Sequence, residues 1–149
     1  NCIRLWNRRL VKKGLRVLPL RFRGDQALVY VYRPSKLSLD LQHGAANRIL
    51  RERGYESAVP ERCIIELMRR LGENEDFPHE IGLFLGYPPE DVQGFIENRS
   101  ADCKCVGCWK VYGDAAAAQK LFAKYKKCTD IYCTLFSKGR SIERLTVAV

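Results

Sequence analysis

Residues 15–34, LRVLPLRFRGDQALVYVYRP, decide the fold class. Apolar and polar side chains alternate on either side of Gly24-Asp25, and β-branched and aromatic residues are enriched, which is the pattern of a β-hairpin closed by a two-residue turn. Pro19 lacks an N–H for a ladder and therefore places the first strand at an edge. Working outward, Ile3, Trp6, Leu10 and Val11 recur at helical spacing with cations between them, and Gly14 follows as a stop. Residues 2–13 thus read as an amphipathic helix whose apolar stripe faces the sheet. On the other side three covering helices are expected, at about Ser35 to Gln42, Ala45 to Arg53 closed by Gly54, and Pro60 to Leu71 ended by Gly72.

Farther along, Ile81 to Gly86 is a short run that is apolar on both faces, and its length favours a buried strand over a helix. Pro89 opens a helix through about Asn98, with Val92, Phe95 and Ile96 inward. Cys108 to Tyr112 reads as a second short strand. Gly113-Asp114 then supplies a turn and an N-cap for a helix whose stripe runs through Ala118, Leu121, Phe122, Tyr125 and Cys128. Strand, helix, strand and helix in that order suggest a crossover with two parallel strands. The expected architecture is a single α+β domain over residues 1–149, in which the hairpin and two short central strands form one mixed sheet covered by helices.

Composition agrees with one packed domain: 149 residues, 46% apolar and 29% charged, with no low-complexity tract. No apolar stretch approaches the roughly 20 residues of a membrane-spanning helix, so no membrane partner is expected. The chain starts at Asn1, and residues 1–14 carry charges throughout rather than a secretory pattern. The expectation is an N-terminally truncated fragment of a cytoplasmic protein.

The net charge of +9 is unevenly spread. Residues 1–51 hold 12 basic and 2 acidic side chains, residues 52–98 hold 4 and 11, and residues 99–149 hold 10 and 4. Eight cations precede the first acid, Asp25. Such a segment is either a solvated face or a docking surface for nucleic acid or an acidic protein. Its candidate polyanion-binding residues are Lys12, Lys13, Arg16, Arg21, Arg23 and Arg33. Phe22, Tyr30 and Tyr32 add the aromatic faces that single-stranded nucleic acid exploits, although strand aromatics also pack under covering helices.

Seven cysteines in a chain without a secretory pattern argue for reduced thiols. Cys103, Cys105 and Cys108 form one group, Cys128 and Cys133 another, and Cys63, beside Ile64 and Ile65, is a small core residue. Converging thiolates could hold zinc, iron or an iron-sulfur cluster. On one continuous helix, however, the step from Cys128 to Cys133 rotates by about 140°, so a shared site requires a break at Thr129-Asp130. Cys105-Val-Gly-Cys108 has redox-pair spacing but precedes a strand-like segment rather than a helix N-terminus. Lys104 and Lys110 could supply the positive field instead.

Other motifs fail. His79-Glu80 starts like a zinc-protease helix, yet Leu83 stands where the second His belongs. Walker, Rossmann and nucleophile-elbow patterns are absent. A thiol hydrolase or transferase would need His79 or His43 within about 3–4 Å of a cysteine sulfur.

Three stretches taken together, HEIGLFLGYPPEDVQGFIENR (79–99), CVGCWKVYGD (105–114) with KLFAKYKKCTDIYC (120–133), and SIERLTVA (141–148), resemble the clostridial family catalogued as domain of unknown function 3793. The resemblance runs through nearly the whole chain and carries no established activity. It implies a bacterial, anaerobic host and a further cysteine-bearing segment ahead of Asn1. It also implies that Cys105, Trp109, Lys110, Cys128 and Cys133 follow the family pattern, while Cys103 and Cys108 depart from it. The leading expectation is therefore metal, cluster or thiol redox chemistry at Cys105, Cys128 and Cys133, with Cys108 and Cys103 as alternates. A basic-face binding module stands against it, and a Cys/His enzyme is the third reading.

Overall fold

The computed structural model describes residues 2–56, 59–73, 76–99 and 101–148. Gly24 sits at φ 53° in the two-residue loop between β1 (Arg16–Arg23) and β2 (Gln26–Tyr32), a positive dihedral that only glycine adopts without strain. The antiparallel ladder slips once, between Pro19 and Arg21, leaving Leu20 as an extra residue. That bulge follows the proline and shifts the alternation by one residue, so that Arg21, paired with Leu28, falls on the same face as Leu18 and Leu20. Ahead of the hairpin, α1 (Cys2–Leu10) continues as a 3-10 turn through Lys13 and stops at Gly14, φ 76°.

Three helices follow: α2 (Pro34–Gln42), α3 (Gly44–Glu52) and α4 (Pro60–Glu73). They were expected to cover a sheet, but they build the core themselves. Leu37, Leu41, Ala46, Ile49, Leu50, Cys63, Ile64, Leu67 and Leu71 are buried together against one face of the hairpin. Gly72 does not stop α4, which continues to Glu73. The Tyr30 hydroxyl crosses this core to donate to the Phe84 carbonyl, and burial holds its pKa well above the usual phenol range.

Residues 81–86 differ from expectation. Ile81–Phe84 is a single helical turn, α5, not a strand. A short run that is almost wholly apolar shows neither helical nor strand periodicity, so it fits both readings. Gly82 lets this turn pack closely: a Cβ there would lie 2.8 Å from Val92 and 3.0 Å from Tyr87. After α6 (Pro89–Asn98), the expected strand at 108–112 is reduced to β4 (Lys110–Val111), paired antiparallel with β3 (Cys105–Val106). Among the described residues there is hence no crossover and no mixed sheet: two separate two-stranded antiparallel sheets lie among helices in an α+β layout. The chain ends in α7 (Ala115–Ser137), capped by Asp114 accepting from the Ala117 N–H at 3.0 Å, and α8 (Ile142–Leu145). No helix among the described residues is long and apolar enough to cross a membrane.

One buried charge organises the α3–α5 corner. Glu80 has no exposed surface and accepts from Tyr55 Oη at 3.2 Å, Arg70 at 3.2 Å and Arg53 at 3.4 Å. Arg70 also lies 4.5 Å over the Tyr55 ring and donates to the Arg53 carbonyl. Burial, reinforced by Glu80, pushes the Tyr55 phenol far up, so it remains a donor. Removing one member of a buried pair strands the other charge. Glu80→Ala should therefore lower the unfolding free energy by about 3 kcal/mol in urea titrations. Arg69→Ala, which deletes ion pairs to Glu66 and Glu73 from an exposed helix face, should leave the midpoint near that of the parent.

Candidate functional site

The segment Tyr87-Pro88-Pro89 leads into α6, where Pro89 occupies the first turn together with Glu90 and Asp91. Acids are favoured there by the helix dipole, but Asp91 does more than complement it. Its carboxylate, 4% exposed, turns toward the β3–β4 hairpin. Oδ1 accepts from the Tyr112 and Gly113 N–H groups at 2.8 and 2.7 Å, and Oδ2 accepts from Trp109 Nε1 at 2.7 Å. Close approach needs small residues on both sides of this joint. A Cβ at Gly94 would sit 2.3 Å from the Tyr112 ring, and one at Gly113 would sit 2.5 Å from Glu90.

Asp91 thereby fixes Trp109, which is 8% exposed. Trp109 stacks on Tyr87 at 4.8 Å between ring centroids and meets Phe122 of α7 edge-on at 4.6 Å. The segment before α5 places His79 edge-on to Phe95 at 5.2 Å. These groups border a cavity of about 430 Å³, lined by Phe77, Pro78, His79, Ile81, Tyr87, Phe95 and Trp109, with Asp91 at the wall and Asp76 and Lys110 also lining it. The volume lies within the range of small-molecule sites. Partial burial, with Cys108 nearby, raises the Tyr87 pKa, keeping the phenol neutral as it donates to the Cys108 carbonyl at 3.3 Å.

The expected ligand set is dispersed. Cys103 and Cys105 are half-buried and Cys108 is exposed, all around the small hairpin. Cys128 and Cys133 are exposed on α7, which runs unbroken past Thr129-Asp130. Cys105 packs with the Trp109, Val111 and Ala118 cluster, whereas Cys128 stands ten residues beyond Ala118, about 15 Å farther along the helix axis. Among the described residues no group of three or more His, Cys, Asp or Glu side chains is placed to hold a metal ion. Lys104 donates to the Gly113 carbonyl at 2.6 Å rather than facing a thiolate. His79, one of the two candidate bases, meets the Phe95 ring edge-on.

The basic candidates divide into two kinds. Lys13 donates to the Thr146 carbonyl at 2.8 Å, and Arg33 donates to the Lys13 and Val147 carbonyls at 2.8 and 2.6 Å, so both clasp the C-terminal segment. Arg21 donates to the Leu71 carbonyl at 2.9 Å and lies over the Phe77 ring. Lys12, Arg16 and Arg23 are exposed. Sequence reasoning missed Tyr87 and Asp91 as site residues; the only local signal for Asp91 was its position in a helix first turn, which is common to many acids.

A family described as "Protein of unknown function (DUF3793)" matches residues 1–146. No curated protein and no solved structure matches the chain.

Hydrogen bonds to a buried carboxylate are worth about 1.5–3 kcal/mol each, and an amide offers a single acceptor while aiming its NH₂ at other donors. Asp91→Asn should therefore lose about 3 kcal/mol of stability and red-shift the Trp109 emission in a Trp6→Phe background. Trp109→Phe should lose about half as much. A parent-like urea midpoint for Asp91→Asn would place the anchorage of the hairpin elsewhere.

Proposed function

We propose that this chain, which belongs to the DUF3793 family, is a small-molecule-binding domain whose ligand is a planar, largely apolar ring system. The observation that carries this reading is convergence: the loop before α6, α6 itself and the β3–β4 hairpin bring Tyr87, Phe95 and Trp109 to the wall of one cavity. Tyr87, Phe95 and Trp109 offer ring faces and edges, and aromatic pairs contribute about 0.5–1.5 kcal/mol each beyond simple area burial. Lys110 and His79 give a polar substituent groups to meet. Asp91 has little capacity left for proton transfer, since three donors already occupy it. The reading is therefore of recognition, not catalysis. Among the described residues a thiolate-bound zinc, iron or iron-sulfur centre has no comparable convergence of side chains to support it.

The test uses Trp6→Phe protein, in which Trp109 is the sole tryptophan. Titration with quinoline, indole-3-carboxylate and lumiflavin should give saturable quenching of Trp109 for at least one probe. Phe95→Ala should weaken that affinity about tenfold, the equivalent of about 1.4 kcal/mol. Quenching that does not saturate, or that ignores Phe95→Ala, overturns the reading. Stoichiometric zinc or iron in the purified protein, lost on Cys105→Ser, would move the function to the thiols.

A further inference from the structure

The two sides of α1 differ in what they meet. Ile3, Trp6 and Leu10 turn toward the first hairpin and line one groove with Val17 and Val31, and Leu10 is buried. Asn7 fastens the helix to β1 by donating to the Val17 carbonyl at 2.8 Å and accepting from the Val17 N–H at 2.9 Å. The helix is thereby held against the hairpin, and its opposite side is presented to solvent. Arg4 and Arg8 recur there about 6 Å apart along the axis, and Lys12 follows in the 3-10 turn. With Asn7 and Val11 these three cations line an open depression of about 450 Å³. Arg9 flanks the row, rotated by about 100° from Arg8.

All four cations are exposed, and among the described residues none of them enters an ion pair. No acid lines the depression. Asp25, in the hairpin loop, is the first acid of the sequence, and Glu143 follows Ile142 of α8, which lines the groove on the hairpin side. The other cations of the first 33 residues are placed elsewhere. Lys13 and Arg33 clasp the C-terminal segment, Arg21 donates to the Leu71 carbonyl, and Arg16 and Arg23 lie by strand register on the core side of the hairpin. Like charges four residues apart cost a helix stability, and α1 carries Arg4, Arg8 and Lys12 in that spacing with no acid between them. A bound polyanion removes that cost.

We propose that this row binds the phosphate backbone of duplex nucleic acid without reading its sequence. From Arg4 to Lys12 the row is about 13 Å long, which passes about four phosphates of one strand. Three of the four cations are arginines, whose planar fork matches two phosphate oxygens. The Asn7 amide, the neutral polar side chain at the depression, is already occupied by Val17, so base edges have no reader. A lipid surface takes up the apolar side of a helix, and that side of α1 faces the hairpin; of large apolar side chains the outer side exposes Leu5 and Val11. A single strand needs rings to stack on, and Trp6, the one aromatic residue of α1, lies on the hairpin side. The row shares no residue with the aromatic cavity, so failure of one proposal leaves the other standing.

The test is fluorescence anisotropy of a labelled mixed-sequence DNA duplex of about two helical turns, titrated with the 149-residue chain over a range of salt. The logarithm of affinity should fall with the logarithm of salt at a slope of about −3 to −4. Arg4→Gln and Arg8→Gln should each weaken binding and make the slope shallower by about one, with urea midpoints no lower than the parent's, because both side chains are exposed and Gln is a good helix former. Lys124→Gln with Lys127→Gln, which removes two exposed cations from α7, should leave the slope unchanged. An equal loss in that variant means that net charge alone drives binding, and it overturns the proposal. Oligo-dT, poly-glutamate and phosphatidylserine vesicles serve as competitors at matched charge. If any of them displaces the label as well as unlabelled duplex does, or if the duplex does not bind at low salt, the proposal is overturned.

Discussion

The Asp91 carboxylate is the constraint on which the second half of the molecule depends. Two strands of two residues each cannot stand alone in water, so β3 and β4 need an external anchor. Asp91 supplies it with three hydrogen bonds from Trp109, Tyr112 and Gly113. With Trp109 held, Phe122 has a ring to pack against, and the first half of α7 is attached to the body. Gly107 permits this by its lack of a side chain, since a Cβ there would lie 2.2 Å from the Phe122 ring. The path of α7 then returns the C-terminal segment to the first hairpin, where Lys13 and Arg33 clasp it.

Two buried carboxylates thus do different work. Glu80 joins α3, α4 and α5 around the main core through arginines that would otherwise remain in water. Asp91 joins that body to the small hairpin through neutral donors. Between them Tyr87 packs against both apolar clusters, and the aromatic cavity opens along this seam. Clefts between packing units are where apolar walls and a few oriented polar groups most readily coexist, because neither unit fills the space on its own.

Several elements were legible because their cause is local. The hairpin follows from alternation about Gly24-Asp25, α1 from its 3.6-residue stripe, α6 from Pro89, and the start of α7 from the Asp114 cap. Other readings failed where local pattern underdetermined structure. Ile81–Phe84 is a helical turn packed closely on Val92 and Tyr87 at Gly82, a contact that the hydropathy of the run does not report. The strand near Lys110 paired back on Cys105–Val106 across a short turn, and a two-residue antiparallel ladder leaves almost no periodic trace.

The sequence by itself determined the first hairpin with its turn, α1, α6, the capped start of α7 and the cationic bias of the first 23 residues, because backbone preference and formal charge belong to residues and their immediate neighbours. Only the tertiary structure decided which side chains meet. It separated Cys105 from Cys128 by the straight rise of α7, turned Lys13 and Arg33 from surface charges into a clasp, and set Tyr87, Phe95 and Trp109 around one cavity. Those outcomes depend on how elements remote in sequence pack, and burial of a carboxylate such as Asp91 is satisfied by whichever donors that packing delivers.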